Sequence, residues 1–213
     1  MSAAKRTGRD ERRRCLGQNF LRPDVADALV AQAACDAGDL VVEIGAGRGA
    51  CTFALARRGV RVIALEKDPH WADLLRRELV RLGAGGISVV CCDVLRYRMP
   101  RRPFRALGSL PFGATTAILR HLLDDPGSGL MRADLVVQWE VARKRAATPP
   151  TTMLSTTWVP WWTFGVGRRI SADAFRPVPA VDAAVLRVTR RTPPLLPAHM
   201  APAYADFVRG HWK

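Results

Sequence analysis

Between residues 39 and 140 short apolar runs alternate with stretches whose apolar residues recur at helical spacing. The runs "DLVVEI" (39–44), "VRVIALE" (60–66), "ISVVCCD" (87–93), "FRALGSL" (104–110) and "ADLVVQWE" (133–140) are too apolar for strands with one wet face. Strands of this kind are covered on both sides, so they belong to a mainly parallel sheet flanked by helices. The intervening segments supply those helices: "RGACTFALARRG" (48–59), closed by Gly59, "PHWADLLRRELVRLG" (69–83) and "ATTAILRHLL" (114–123). Val25, Ala28, Leu29 and Ala33 mark an earlier helix across 23–36. After residue 150 the character changes. "STTWVPWWTFGVGRRI" (155–170) suits antiparallel strands, "AAVLRVTR" (183–190) reads as a further strand, and 197–212 reads as one short helix. The aromatics Trp158, Trp161, Trp162 and Phe164 are expected in the core, where large aromatic side chains contribute most.

Charge narrows the class of partner. The chain holds 33 Lys and Arg against 19 Asp and Glu, a formal net charge of +14. A polyphosphate backbone exploits such a field, although arginine-rich composition also follows from genomic base bias. The excess lies at the ends: residues 1–22 hold seven basic residues against two acidic, and 166–213 hold eight against three. Residues 1–14 read as a flexible basic arm in which Arg12, Arg13 and Arg14 contact phosphates or serve only as a solubility tail. The apolar stretches are far shorter than a membrane span, and no apolar run follows the basic start, so the cytoplasm is the default location and no membrane partner is expected. Five cysteines (Cys15, Cys35, Cys51, Cys91, Cys92) form no C-x-x-C pair or His-flanked set. Reduced thiols and no metal are expected, with Cys91 and Cys92 as the buried end of a strand.

"EIGAGRG" (43–49) lies between a strand and a helix, where Gly45, Gly47 and Gly49 let the backbone turn sharply and approach a ligand. An acidic residue closing the second strand holds ribose hydroxyls in such sites, and Glu66 stands there, 21 positions after Gly45. Asp93 ends the third strand, able to accept from an exocyclic adenine amine. Three sites in strand order line one crevice at the carboxyl edge of the sheet. They suit adenosine, with S-adenosylmethionine favoured by the Gly-x-Gly-x-Gly form and NAD as the alternative.

"GSLPF" (108–112) occupies the exit of a fourth strand. It is either a plain strand-to-helix turn, with Pro111 stopping the ladder and Thr115 or Thr116 starting the helix, or a grip on a flat base.

With these motifs "LGQNFL" (16–21), "CDVL" (92–95) and "FRPVPAVDAAVLRV" (175–188) stand in the order found in the rRNA adenine-N6 methyltransferases, and from about 15 to 190 the chain resembles that family. "WVPWWTFGVGRRISADAFRPVPAVDAAVLRV" and "ATTAILRHLL" after "LPF" resemble its erythromycin-resistance (Erm) branch more than the small-subunit dimethyladenosine transferases. The resemblance implies an α/β, Rossmann-like S-adenosylmethionine-dependent methyltransferase with a mostly parallel seven-stranded sheet over 15–191. Residues 192–213 would then be a short remnant of a C-terminal helical domain. It implies N6-methylation of an adenine in the peptidyl-transferase loop of 23S rRNA by a monomer, before subunit assembly, and macrolide-type resistance, with S-adenosylhomocysteine as product.

For the cofactor the resemblance assigns Gln18, Asn19, Leu21, Gly45, Ala46, Gly47, Glu66, Lys67, Asp93, Val94 and Ser109. For the target adenine it assigns the Ser109 side chain and Leu110 carbonyl as acceptors from N6, Pro111 as the rigid corner and Phe112 as stacking plate. Phe175, Arg176 and Pro177 would border the target and guide RNA. The sequence departs from the family at Ser109, where Asn is usual; the shorter hydroxyl both accepts and donates. A small-subunit rRNA dimethyltransferase and a non-catalytic RNA-binding protein on the same fold are the alternatives.

Overall fold

The computed structural model describes residues 19–212, so Arg12, Arg13, Arg14 and Gln18 lie outside the described residues. A short strand β1 (Phe20–Leu21) and helix α1 (Pro23–Gln32) lead into the alternation. It runs β2 (Leu40–Ile44), α2 (Ala50–Ala56), β3 (Arg61–Glu66), α3 (Pro69–Arg81), β4 (Ile87–Cys91), β5 (Phe104–Ser109), α4 (Thr115–Leu123) and β6 (Leu130–Gln138). Helices α5 (Trp139–Arg145) and α6 (Met153–Trp158) follow, then β7 (Trp162–Ile170), β8 (Phe175–Arg176), β9 (Ala183–Arg190) and α7 (Ala201–His211).

Seven strands form one sheet in the order β4-β3-β2-β5-β6-β9-β7, while β1 pairs with β8 in a separate two-stranded ribbon. Strands β2 to β6 are mutually parallel, and β9 runs antiparallel between β6 and β7. Chain order reverses between β2 and β5: β3 and β4 extend one way, β5 and β6 the other. A crevice opens at such a switch point, outside the carboxyl ends of the strands.

Strand periodicity divides the core into two layers. In β2, Val41 faces a layer with Leu29 and Val30 of α1, Leu55 of α2 and Leu75 and Leu79 of α3. Leu40, Val42 and Ile44 face the opposite layer with Leu119 and Leu122 of α4 and the buried Trp158, Trp161 and Trp162. Both faces of the strand are dry, as the apolar runs require. The three indoles are core, as expected, and each is satisfied: Trp158 Nε1 donates to Asp124 Oδ1 (2.8 Å), Trp161 Nε1 to the Leu196 carbonyl (2.8 Å) and Trp162 Nε1 to the Leu123 carbonyl (3.1 Å).

Two expectations are corrected. Residues 153–158 are helical rather than strand: the Thr152 hydroxyl accepts from the Ser155 amide (3.1 Å) and caps α6, so the β-strand starts only at Trp162. Cys91 is exposed and Cys92 half-buried, because β4 is the edge strand. No helix among the described residues is long and apolar enough to cross a membrane.

Gly108 sets how closely β5 lies on β2. A Cβ there would meet the Ile44 carbonyl oxygen at 2.2 Å, a backbone atom that cannot step aside. Gly108→Ala is therefore expected to cost about 3 kcal/mol, read as a fall in the thermal midpoint of roughly 6–12 °C. A midpoint within two degrees or so of the parent would refute this close approach.

Glu43, 1 % exposed, occupies the helix-covered face of β2, and its Oε2 accepts from Thr52 Oγ1 in α2 (2.6 Å). Burial pushes its carboxyl up from the ordinary 4.5 to about 7, against the opposing pull of the Thr52 hydrogen bonds. The folded protein thus holds this proton where the unfolded chain has lost it. The associated stability is complete below pH 4.5 and is lost as pH rises to about 7. Relative to Glu43→Gln, the parent should lose up to about 3 kcal/mol between pH 4.5 and pH 8 in urea denaturation. An unchanged difference between the two proteins at both pH values would show that Glu43 holds its proton no more tightly in the folded protein than in the unfolded chain.

Candidate active site

The crevice at the switch point holds a cavity of about 610 Å³. Its floor comes from the ends of β2, β3 and β5, where Ile44 pairs with Leu65 and Ser109 with Val136. The loop after β2 turns back at once. The amides of Gly45 and Ala46 both donate to the Leu65 carbonyl (2.9 and 3.0 Å), and Gly45, Gly47 and Gly49 all have positive φ (72°, 52° and 83°). The cradle is tight: a Cβ on Gly47 would lie 3.0 Å from the Phe20 ring, and one on Gly45 would lie 3.5 Å from the Ser109 carbonyl.

Glu66 ends β3 inside this cavity. Oε2 accepts from the Gly47 amide (2.7 Å) and Oε1 from the Asp68 amide (2.8 Å), so one carboxylate ties the glycine loop to the entry of α3. Burial raises its pKa, and those two amides pull the other way. The carboxylate keeps accepting capacity for a hydroxyl donor. Asp93 follows β4 and caps a short helical turn, its Oδ1 accepting from the Leu95 amide (3.0 Å). Lys67 Nζ pairs with Asp93 Oδ2 (2.8 Å); that hydrogen bond, then the Leu95 amide, hold the Asp93 carboxyl below the ordinary value. The two acids therefore differ. Glu66 is sunk in the wall and braced by amides, whereas Asp93 stays ionised at the rim beside a cation.

Of the residues expected to act together, Asn19, Gly45, Gly47, Glu66, Lys67 and Asp93 line the cavity, with Val94, Ser109, Leu110 and Pro111. Others do not reach it. Leu21 and Ala46 belong to the buried core behind the wall. Phe112 packs edge-to-face on Phe175, 6.4 Å between ring centres, and Gly113 and Ala114 line the cavity in its stead. Phe175 is wholly buried, which removes it from any RNA-contacting surface; it fills the core beneath Phe112. Arg176 and Pro177 are exposed, and the Arg176 guanidinium donates to the Asp173 and Phe175 carbonyls (2.9 and 2.8 Å).

The basic C-terminal stretch is also less free than its charge suggests. Arg190 donates to the Leu130, Pro126 and Ser128 carbonyls, Arg191 to the Val159 carbonyl, and Arg187 to the buried Asp134. These three arginines hold strands and turns together, so they add little to an RNA-facing surface.

Phe20 and Cys92 also line the cavity, and Glu43 is a buried acid behind the loop, none of them singled out by the sequence. Phe20 lies inside "LGQNFL", Cys92 adjoins Asp93 and Glu43 opens the glycine motif; position alone distinguishes none of them. Among the described residues no group of three or more His, Cys, Asp or Glu could hold a metal ion.

Comparison with known proteins identifies the family. The family model described as ribosomal RNA adenine dimethylase matches residues 9–212. An rRNA methyltransferase of Streptomyces thermotolerans is 42% identical over 211 residues, covering 96% of this chain and 69% of that protein. The mycinamicin-resistance protein MyrB of Micromonospora griseorubida is 40% identical over 196 residues, covering 91% and 61%. The crystal structure of the 23S rRNA methyltransferase ErmE superposes with a TM-score of 0.79 at 33% identity, covering 90% of this chain and 78% of that one. The seven-stranded sheet is thus that of a Rossmann-like methyltransferase, and the chain belongs to the ribosomal RNA adenine dimethylase family.

Proposed function

We propose that this chain transfers a methyl group from S-adenosylmethionine to N6 of one adenine in 23S rRNA, with S-adenosylhomocysteine as the product and macrolide-type resistance as the consequence. Family membership supports the reaction class; likeness to ErmE and MyrB favours the large-subunit target and the resistance. One observation carries the reading: Ser109 and Leu110 line the same cavity as Gly45, Glu66 and Asp93.

The residues present fit an adenosyl cofactor. Glu66 has lone pairs for a ribose diol, Asp93 is an ionised acceptor for an adenine amine, and the glycines leave room for a ligand against bare backbone. When bound, the cofactor supplies an electrophilic sulfonium methyl. The chain must present the nucleophile, because the N6 lone pair of adenine is delocalised into the ring. Ser109 Oγ and the Leu110 carbonyl would accept from the two amine hydrogens and stabilise the positive charge that develops on nitrogen. Pro111, without an amide hydrogen, offers no competing donor at that corner. Phe112, turned onto Phe175, leaves the cavity wall at this corner to Gly113 and Ala114. The chain would act as a monomer on rRNA before subunit assembly, with Arg176, Pro177 and the arm at Arg12, Arg13 and Arg14 near RNA.

Tritiated methyl transfer to protein-free 23S and 16S rRNA tests this. Label is expected on 23S rRNA, with Ser109→Asn turning over at the parent rate or faster. Label confined to 16S rRNA would move the chain to the small-subunit branch. An absence of label on both RNAs would end the catalytic reading.

A further inference from the structure

Arg48 sits at the tip of the glycine loop, between Gly47 and Gly49, whose positive φ angles (52° and 83°) turn it outward. Its side chain pairs with no carboxylate among the described residues. Its guanidinium carbon instead lies 5.7 Å from the centre of the Phe20 ring and 5.4 Å from that of Trp71. The two rings meet edge-to-face with centres 5.0 Å apart. One cation therefore covers two aromatic faces, one from β1 and one from the first turn of α3.

Phe20 belongs to the cavity wall, with Asn19 beside it. Its ring reaches to 3.0 Å of the position a Cβ would take on Gly47. The backbone of the segment is held by a two-residue ladder, Phe20 opposite Arg176 and Leu21 opposite Phe175, by the Arg22 amide on the Ala174 carbonyl (2.9 Å) and by burial of Leu21. These contacts fix the backbone and the Leu21 side chain, and the Phe20 ring takes its place from what it packs on.

We propose that Arg48 and Trp71 form a clasp that presses Phe20 onto the glycine loop and thereby closes the Asn19 side of the cavity over the bound adenosyl ligand. Arg48 is a positioning residue here: it acts through Phe20 and takes no part in methyl transfer. The proposal rests on the adenosyl-cofactor reading above. An exposed cation on an aromatic face contributes modestly, so its loss should change affinity about five- to tenfold rather than abolish binding.

Calorimetry with S-adenosylhomocysteine tests the clasp. Arg48→Ala should raise Kd about five- to tenfold. Arg48→Lys should recover most of the loss, because it keeps a cation, while Arg48→Met, unbranched, one atom shorter than Lys and uncharged, should not. KM for S-adenosylmethionine should rise in parallel with Kd, with kcat at saturation falling less than about twofold. Phe20→Leu should weaken binding similarly, and the double variant Phe20→Leu with Arg48→Ala should be little worse than either single one. Parent-like affinity in Arg48→Ala, equal binding by the Lys and Met variants, or additive losses in the double variant would each overturn the clasp. Failure of the parent itself to bind S-adenosylhomocysteine would instead overturn the cofactor reading.

Discussion

The close approach of β5 to β2 governs the crevice. Because Gly108 carries no side chain, β5 lies against the Ile44 carbonyl, and the chain leaves the sheet at Ser109 within van der Waals reach of Gly45. The two halves of the sheet diverge in chain order at this seam, so residues on either side come from different parts of the sequence. Glu66 arrives from β3, Asp93 from beyond β4 and Ser109 from β5, all at the carboxyl edge. A looser seam would leave every one of these residues in place along the chain and destroy their common cavity.

Glu66 does a second job at the same edge. By accepting from Gly47 and Asp68 it fixes the turn that precedes α2 and the turn that precedes α3. Backbone amides that would otherwise be orphaned beside the cavity are satisfied by the side chain that also lines it. Glu43, one strand over and level with Ala64, two residues short of Glu66, is sealed from the cavity by burial and held by Thr52. Two glutamates near one loop thus have separate fates, decided by how close to the strand end each stands.

The sequence made the central architecture legible because it has strong local signals. Five apolar runs, three glycines in a strand-to-helix turn and acids at successive strand ends sufficed for the parallel sheet and most of the cavity wall. What it concealed depends on tertiary neighbours. Residues 153–158, with Thr156, Thr157 and Trp158 in succession, look like a strand by propensity, yet a Thr152 cap and burial of Trp158 against Asp124 make them a helix. Cys91 reads as buried because nothing in a strand's own residues reveals that it lies at the edge of a sheet. Phe175 stands in a motif thought to face RNA, but its ring is enclosed beneath Phe112. Several arginines counted toward an RNA-facing surface are spent on carbonyls and on Asp134, which charge totals cannot disclose.

The antiparallel insertion of β9 has a consequence for how the molecule reaches this state. Strand β6 is flanked by β5 on one side and by β9 on the other, yet β9 spans residues 183–190, some fifty positions after β6. Until that segment emerges and docks, a nascent chain presents a nine-residue strand with unpaired amides and carbonyls along one border. Such an open border invites pairing between molecules, and the distant contact that closes it is slow to form. Vulnerability during synthesis is therefore greatest after the crevice is already encoded and before β9 has arrived beside β6.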